Sequence, residues 1–234
     1  SGTGTGVLTL TVVSAPSSGS VLAEETFDYE EGTNLNGLSG GTGWASAWSN
    51  TDNPWTAVSP GLSVTSPEIV SSDNGMKSAT ASATRTATRA AVSTSAPYNS
   101  GVIYLGVLLR DDSGSSEYGY VQITGDYNRN PFRINWAHNS FWSVASQSAA
   151  NTWNASAYST VPVVQGETVC AVMKMDLTNK IAYLYINQAT EGTPDAVTPV
   201  GAFGSFHTLT IRTANGGASI DDLRLGTTYA DVVQ

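Results

Sequence analysis

The sequence predicts an all-β protein built as a two-sheet antiparallel β-sandwich, and three observations carry that reading. Charged residues make up only 12% of the chain, while Gly, Ser, Thr, Ala and Val dominate, a mixture that disfavours long helices and suits short strands joined by tight turns. Apolar and polar residues alternate with period two along much of the chain, and no window of a dozen residues keeps a helical apolar face. Gly, Asn, Asp, Ser and Pro punctuate these runs at short intervals.

The elements follow in order. VLTLTV at 7–12 alternates strictly and is followed by the loop-forming SAPSSGS at 14–20. Residues 1–20 therefore read as the last strand of a preceding module plus its linker, and residues 21–234 as one sandwich domain. The GTGTG before that strand is no phosphate loop, because a strand follows where a helix N-terminus is required. From Val21 onward come eleven strand signals: ETFDY, GLSVTS, MKSATASATRT, VIYLGVLLR, YGYVQITG, PFRINWA, FWSVAS, ETVCAVMKMDL, KIAYLYIN, HTLTIRTA and ASIDDLRLG. So many strands in one domain require two stacked sheets, each with one face in the core and one turned outward.

Composition also excludes partners. Ten basic against nineteen acidic residues give a formal net charge of −9, which opposes general binding to nucleic acid. No apolar run approaches the roughly 18 residues of a membrane span, and the first residues lack the zones of a signal peptide, so the chain is expected to be cut from a longer precursor. The single cysteine, Cys170, sits within an alternating run and reads as a small core residue. His138 and His207 lie far apart without a paired ligand motif and read as surface or turn histidines, so zinc and copper are not signalled.

Four segments, FDYEEGTNLNGLSGGTGWASAW at 27–48, GETVCAVMKMDLTNKIAYLYIN at 166–187, GAFGSFHTLTIRT at 201–213 and ASIDDLRLGTTYADV at 218–232, resemble the concanavalin A-like, laminin-G-like jelly-roll domains of bacterial secreted multidomain proteins. The resemblance runs from Ala23 to the end in that family's order. It implies a jelly-roll sandwich, a packing role for Trp44 and Trp48, and a place among other modules of one secreted or cell-surface polypeptide. The family spans lectins, carbohydrate-binding modules, adhesive domains and glycoside hydrolases, so the fold does not choose the function.

Alternation in EETFDYE puts Glu24, Thr26, Asp28 and Glu30 on one strand face and Glu25, Phe27 and Tyr29 on the other. Retaining glycosidases need two closely spaced carboxyl groups. The glucanases of the resembled family, however, carry Glu-x-Asp-x-x-Glu or Glu-x-Asp-x-Glu, whereas this segment reads Glu-x-x-x-Asp-x-Glu at the domain's start. Its polysaccharide lyases combine an Arg-rich strand, a Gln-x-His and a Tyr-containing strand, a set that RTATR and YVQITGDY do not reproduce. Catalysis is accordingly not expected. A second use of the carboxylates is calcium: pairing of the first and last strands would bring Glu25 and Asp28 near Asp221 and Asp222 as ligands of a structural ion, the alternative being a solvated acidic edge with Arg224 as counter-charge.

The densest functional signal is GDYNRNPFRINWAHNSFW at 125–142, with five aromatics, two arginines and four asparagines in eighteen residues. Sugars present flat C–H faces rimmed by hydroxyls, so their sites combine exposed aromatic planes with amide, carboxylate and guanidinium groups. Alternation places Phe132, Ile134 and Trp136 in the core and turns Arg133 and Asn135 outward. The neighbours Phe141 and Trp142 cannot both point inward, and Trp142 is the expected platform. Trp153 and Tyr158 in the loop-like NTWNASAY, and Tyr127 beside Asp126 and Asn128, complete the expected contact set.

The sequence thus predicts a non-catalytic carbohydrate-binding module: Trp142, Trp153 and Tyr127 stack on sugar rings, Arg133, Asn135, Asp126 and Asn128 select among hydroxyl patterns, and Tyr158 is a further aromatic contact. Net acidity slightly favours a neutral polysaccharide over an acidic one, although Arg85 and Arg89 keep the latter open. The alternatives are an adhesive or spacer domain without a glycan ligand, and a glycan-cleaving enzyme of the glycoside hydrolase or polysaccharide lyase type.

Overall fold

A computed structural model describes residues 19–50, 55–70, 74–78, 85–90, 98–113, 118–125, 132–137, 139–149, 152–153, 156–200, 206–214 and 217–233. The strand read at 7–12 lies outside the described residues. Nineteen strands occur among the described residues. They begin with β1 (Val21–Glu25), β2 (Ser49–Asn50), β3 (Trp55–Val58), β4 (Ser63–Thr65), β5 (Glu68–Val70), β6 (Gly75–Ser78) and β7 (Arg85–Ala90). Next come β8 (Val102–Asp111), β9 (Tyr118–Gly125), β10 (Phe132–Ala137), β11 (Phe141–Ala145), β12 (Gln147–Ala149), β13 (Thr152–Trp153) and β14 (Ala157–Pro162). The last five are β15 (Thr168–Asp176), β16 (Ile181–Ile186), β17 (Ala196–Pro199), β18 (Phe206–Ala214) and β19 (Ala218–Gly226).

An eight-stranded sheet runs β17-β16-β15-β8-β19-β6-β3, with β1 added on β19, and a seven-stranded sheet runs β14-β11-β10-β9-β18-β7-β2. All pairings are antiparallel, and distant strands such as β8 and β19 or β9 and β18 become neighbours, giving the expected jelly-roll sandwich. Apolar residues of the two inner faces, among them Leu105, Met173, Leu225, Val121, Ile134 and Leu209, form the core. A second apolar layer lies on the back of the eight-stranded sheet, where Leu62, Ile69, Tyr229 and Val232 cover Tyr104, Leu108, Cys170 and Tyr185. That cover explains why β8 is apolar on both faces. Cys170 is buried there, and burial pushes its thiol up to about 12, with the Asp222 charge adding to the shift. No helix among the described residues is long and apolar enough to cross a membrane.

Three local expectations change. Tyr158, read as part of the loop-like NTWNASAY, lies in edge strand β14; its exposed residues Tyr158, Thr160 and Pro162 alternate with Ser159 and Val161, which turn inward. MKSATASATRT does not stay in one sheet: β6 belongs to the eight-stranded sheet and β7 to the seven-stranded one. EETFDYE does not continue as a strand either, because β1 ends at Glu25 and the buried Phe27 adopts a left-handed φ of 56°. Glu25 holds that turn by accepting the Phe27 N–H at 3.0 Å, and Asp28 and Glu30 are left exposed beyond it, so the expected one-face ladder of carboxylates is not formed.

Candidate functional site

Strand register assembles the site on the outward face of the seven-stranded sheet. Gly119, Val121, Ile123, Ile134, Trp136, Trp142, Val144, Leu209 and Ile211 alternate inward, so the intervening residues turn away from the core. Across the sheet, Tyr158 pairs with Ser143, Ser143 with Asn135, Asn135 with Tyr120, and Tyr120 with Arg212. One step along, Arg133 pairs with Gln122 and Gln122 with Thr210. One polar row therefore crosses five strands and a second crosses three, built from residues up to 92 positions apart in the chain.

The rows are bonded internally. Arg133 donates through Nε at 3.0 Å, and through a second guanidinium N–H, to Oε1 of Gln122. Its guanidinium lies 3.9 Å above the centre of the Tyr120 ring, and Arg212, 5.7 Å from the same centre, donates to the Tyr120 hydroxyl at 3.0 Å. Asn135 donates to Ser143 Oγ at 3.4 Å. Burial pushes the Arg133 guanidinium down to about 10; the Tyr120 charge opposes this and the neighbouring Arg212 charge adds to it. Gln122 and Thr210 are 5% and 8% exposed although they face away from the core, so neighbouring side chains cover them, the Arg133 guanidinium lying on Gln122.

Aromatic rings frame the rows. The exposed aromatic side chains among the described residues are Tyr118, Phe141 and Tyr158, and strand alternation puts all three on this outward face. Tyr158 is the most open, at 62% exposure.

The expected contact residues divide accordingly. Arg133, Asn135 and Tyr158 are brought together as neighbours on one face. Trp142 is not an exposed platform: it is 1% exposed and packs on Trp136 with ring centroids 5.9 Å apart, while Phe141 takes the outward position. Trp136 and Phe132 are core residues, as the alternation indicated. Asp126, Tyr127 and Asn128 lie outside the described residues, as do His138 and the side chain of Trp153. In the β7 register Arg85 and Arg89 pair with Thr213 and Leu209, and their side chains lie outside the described residues.

Sequence reasoning missed Arg212, Gln122, Tyr120, Tyr118 and Phe141 as site residues. HTLTIRTA and YGYVQITG did signal their outward parity, but pairing β18 against β9 requires the sheet order.

The carboxylates expected to hold calcium do not converge. β1 does pair with β19, matching Glu25 with Leu223 and Glu24 with Arg224. Glu25 turns inward instead, where its second oxygen accepts the Tyr29 hydroxyl at 2.9 Å and the Trp48 indole N–H at 3.0 Å. Asp221 is fully buried and accepts the backbone N–H of Leu62 at 2.8 Å, tying the loop before β4 to β19. Asp222 lies 3.9 Å from Arg224, which also pairs with Glu24 at 2.9 Å, and Asp28 is exposed in the loop after Phe27. Among the described residues no group of three or more His, Cys, Asp or Glu side chains is arranged to hold a metal ion.

No family model and no curated protein matches the chain. Solved structures do share its architecture. The globular domain of T. cruzi calreticulin is similar with a TM-score of 0.58 at 8% identity, over 92% of this chain and 91% of that one. A sialidase gives 0.53 at 9% identity over 79% of this chain, which spans only 17% of the sialidase. The galectin LEC-6 of Caenorhabditis elegans gives 0.43 at 12% identity, over 56% of this chain and 86% of the galectin. At such identities the likeness is one of fold, a concanavalin A-like jelly roll.

Proposed function

We propose that the chain binds polysaccharide without cleaving it, through the outward face of the seven-stranded sheet, as one module of a larger secreted or cell-surface bacterial protein. The observation that carries this reading is the joint placement of Tyr118, Phe141 and Tyr158, exposed aromatic rings on one face, around the bonded rows of Arg133, Gln122, Asn135, Tyr120 and Arg212. A ring plane offers stacking to a sugar's C–H face, and the planar amide and guanidinium groups offer paired hydrogen bonds to adjacent hydroxyls or to a carboxylate. Holding these groups on strands, already bonded to one another, limits the ordering cost of binding.

The charge on this face favours an acidic glycan, the reverse of what net charge suggested. No strand of the seven-stranded sheet contains Asp or Glu, whereas Arg133 and Arg212, on the two strands that flank β9, both lie against the Tyr120 ring on its outward face. The acidic residues are concentrated elsewhere, as in β1 and β19.

The test is retardation in affinity gels containing alginate, pectate, chondroitin sulfate, dextran, laminarin or xylan. Retardation by the acidic polymers, weakened by Tyr158→Ala and by Arg212→Gln with the melting temperature preserved, is the expected result. Absence of retardation throughout would leave a spacer or adhesive domain, and new reducing ends or unsaturated products would replace binding by cleavage.

A further inference from the structure

We propose that the cleft beside Phe141 is a second sugar subsite, which seats one ring of the same polysaccharide beyond the polar rows; it rests on the binding reading above. The cleft, about 550 Å³, lies between the β10–β11 turn and the β14–β15 connection and is lined by Asn139, Ser140, Phe141, Pro162, Val164 and Gln165 among others.

Its walls are fixed. The Val163 N–H donates to the Ser140 carbonyl at 2.8 Å, the Ser140 N–H donates to the Ala137 carbonyl at 3.0 Å, and Val163 itself is anchored in the core. Phe141 and Val164 are each 46% exposed, and Pro162 is the register partner of Phe141, so an aromatic ring and two small apolar groups are presented together. Burial of Trp142 against Trp136 forces this arrangement, because side chains of successive strand residues leave on opposite faces.

The lining chemistry selects the occupant. Asn139, Ser140 and Gln165 supply amide and hydroxyl groups around the Phe141 ring, and Asn139 and Gln165 are exposed. An apolar protein segment would leave those groups facing it without partners, whereas a pyranose offers a C–H face for the ring and hydroxyls for the rim. Continuity supplies the second argument. Phe141 and Ser143 are alternate outward residues of β11, about 7 Å apart, and Ser143 pairs directly with Tyr158 and Asn135 of the polar row. One extended saccharide can therefore touch both.

The experiment titrates wild type, Phe141→Ala, Gln165→Ala and Tyr158→Ala by calorimetry with a ladder of oligosaccharides, from disaccharide to octasaccharide, cut from the panel polymer that wild type retains most strongly. Phe141→Ala is expected to weaken the longer oligomers about three- to tenfold and to leave the shortest bound oligomer unchanged, with Gln165→Ala acting in the same direction. Tyr158→Ala should weaken every length. Wild-type affinity of both Phe141→Ala and Gln165→Ala at all lengths overturns the subsite while leaving the binding face standing. Failure of wild type to bind any polymer of the panel overturns both. Phe141 is half exposed, so equal melting temperatures of variant and wild type are expected and separate a local loss from misfolding.

Discussion

The guanidinium of Arg133 lies 3.9 Å above the ring of Tyr120, and the same arginine bonds Gln122 on the neighbouring strand. Both contacts use the planar fork, so charge alone does not replace it. Arg133→Lys is expected to lose nearly as much affinity for an acidic polysaccharide as Arg133→Gln, about tenfold, as read by calorimetry at low salt. Arg133→Gln should also flatten the dependence of affinity on salt, and Arg133→Lys should keep it.

Trp142 is a structural residue. Trp142→Ala is expected to cost about 3–5 kcal/mol in urea denaturation, the range for deleting a large buried ring. Trp142→Phe should cost clearly less, because the buried indole N–H has no hydrogen-bond partner among the described residues to lose. Its neighbour is equally constrained: a Cβ at Gly119 would run into the Trp136 ring, so Gly119→Ala should destabilise as well.

Glu25 accepts from donors that include the Phe27 N–H, the Tyr29 hydroxyl and the Trp48 indole N–H. Glu25→Ala strands buried donors and is expected to lower stability by about 3 kcal/mol or more, with Glu25→Gln intermediate because an amide accepts on one oxygen only. Thermal melts of the three proteins check the order.

A pH effect arises at the back of the eight-stranded sheet. Burial alone would raise the Glu191 carboxyl, but bonds from Lys174 at 2.6 Å, Tyr104 at 2.9 Å and Tyr185 at 3.3 Å hold it below the usual carboxylate range. A depressed folded-state value means that the stabilisation is present above the unfolded-state value near 4.3 and fades as pH falls through the lower folded one. The stability gap between wild type and Glu191→Gln should therefore shrink from pH 6 to pH 3. It should stay under about 1 kcal/mol, since the pair is part-exposed to solvent.

Period-two alternation by itself determined the all-β class, the core positions of Phe132, Ile134 and Trp136, and the outward turn of Arg133 and Asn135, because side-chain parity is a local property of extended backbone. Only the tertiary structure decided whether Phe141 or Trp142 faces out. Both are apolar neighbours, and the choice follows from the space beside Trp136, which the Trp142 ring fills. It also turned Glu25 from an edge carboxylate into a buried acceptor, by breaking the strand at Phe27. Arg212 reached Tyr120 through sheet order, which pairs strands far apart in sequence. Register is a non-local quantity, set by which strands meet in the sandwich, and no short window of sequence contains it.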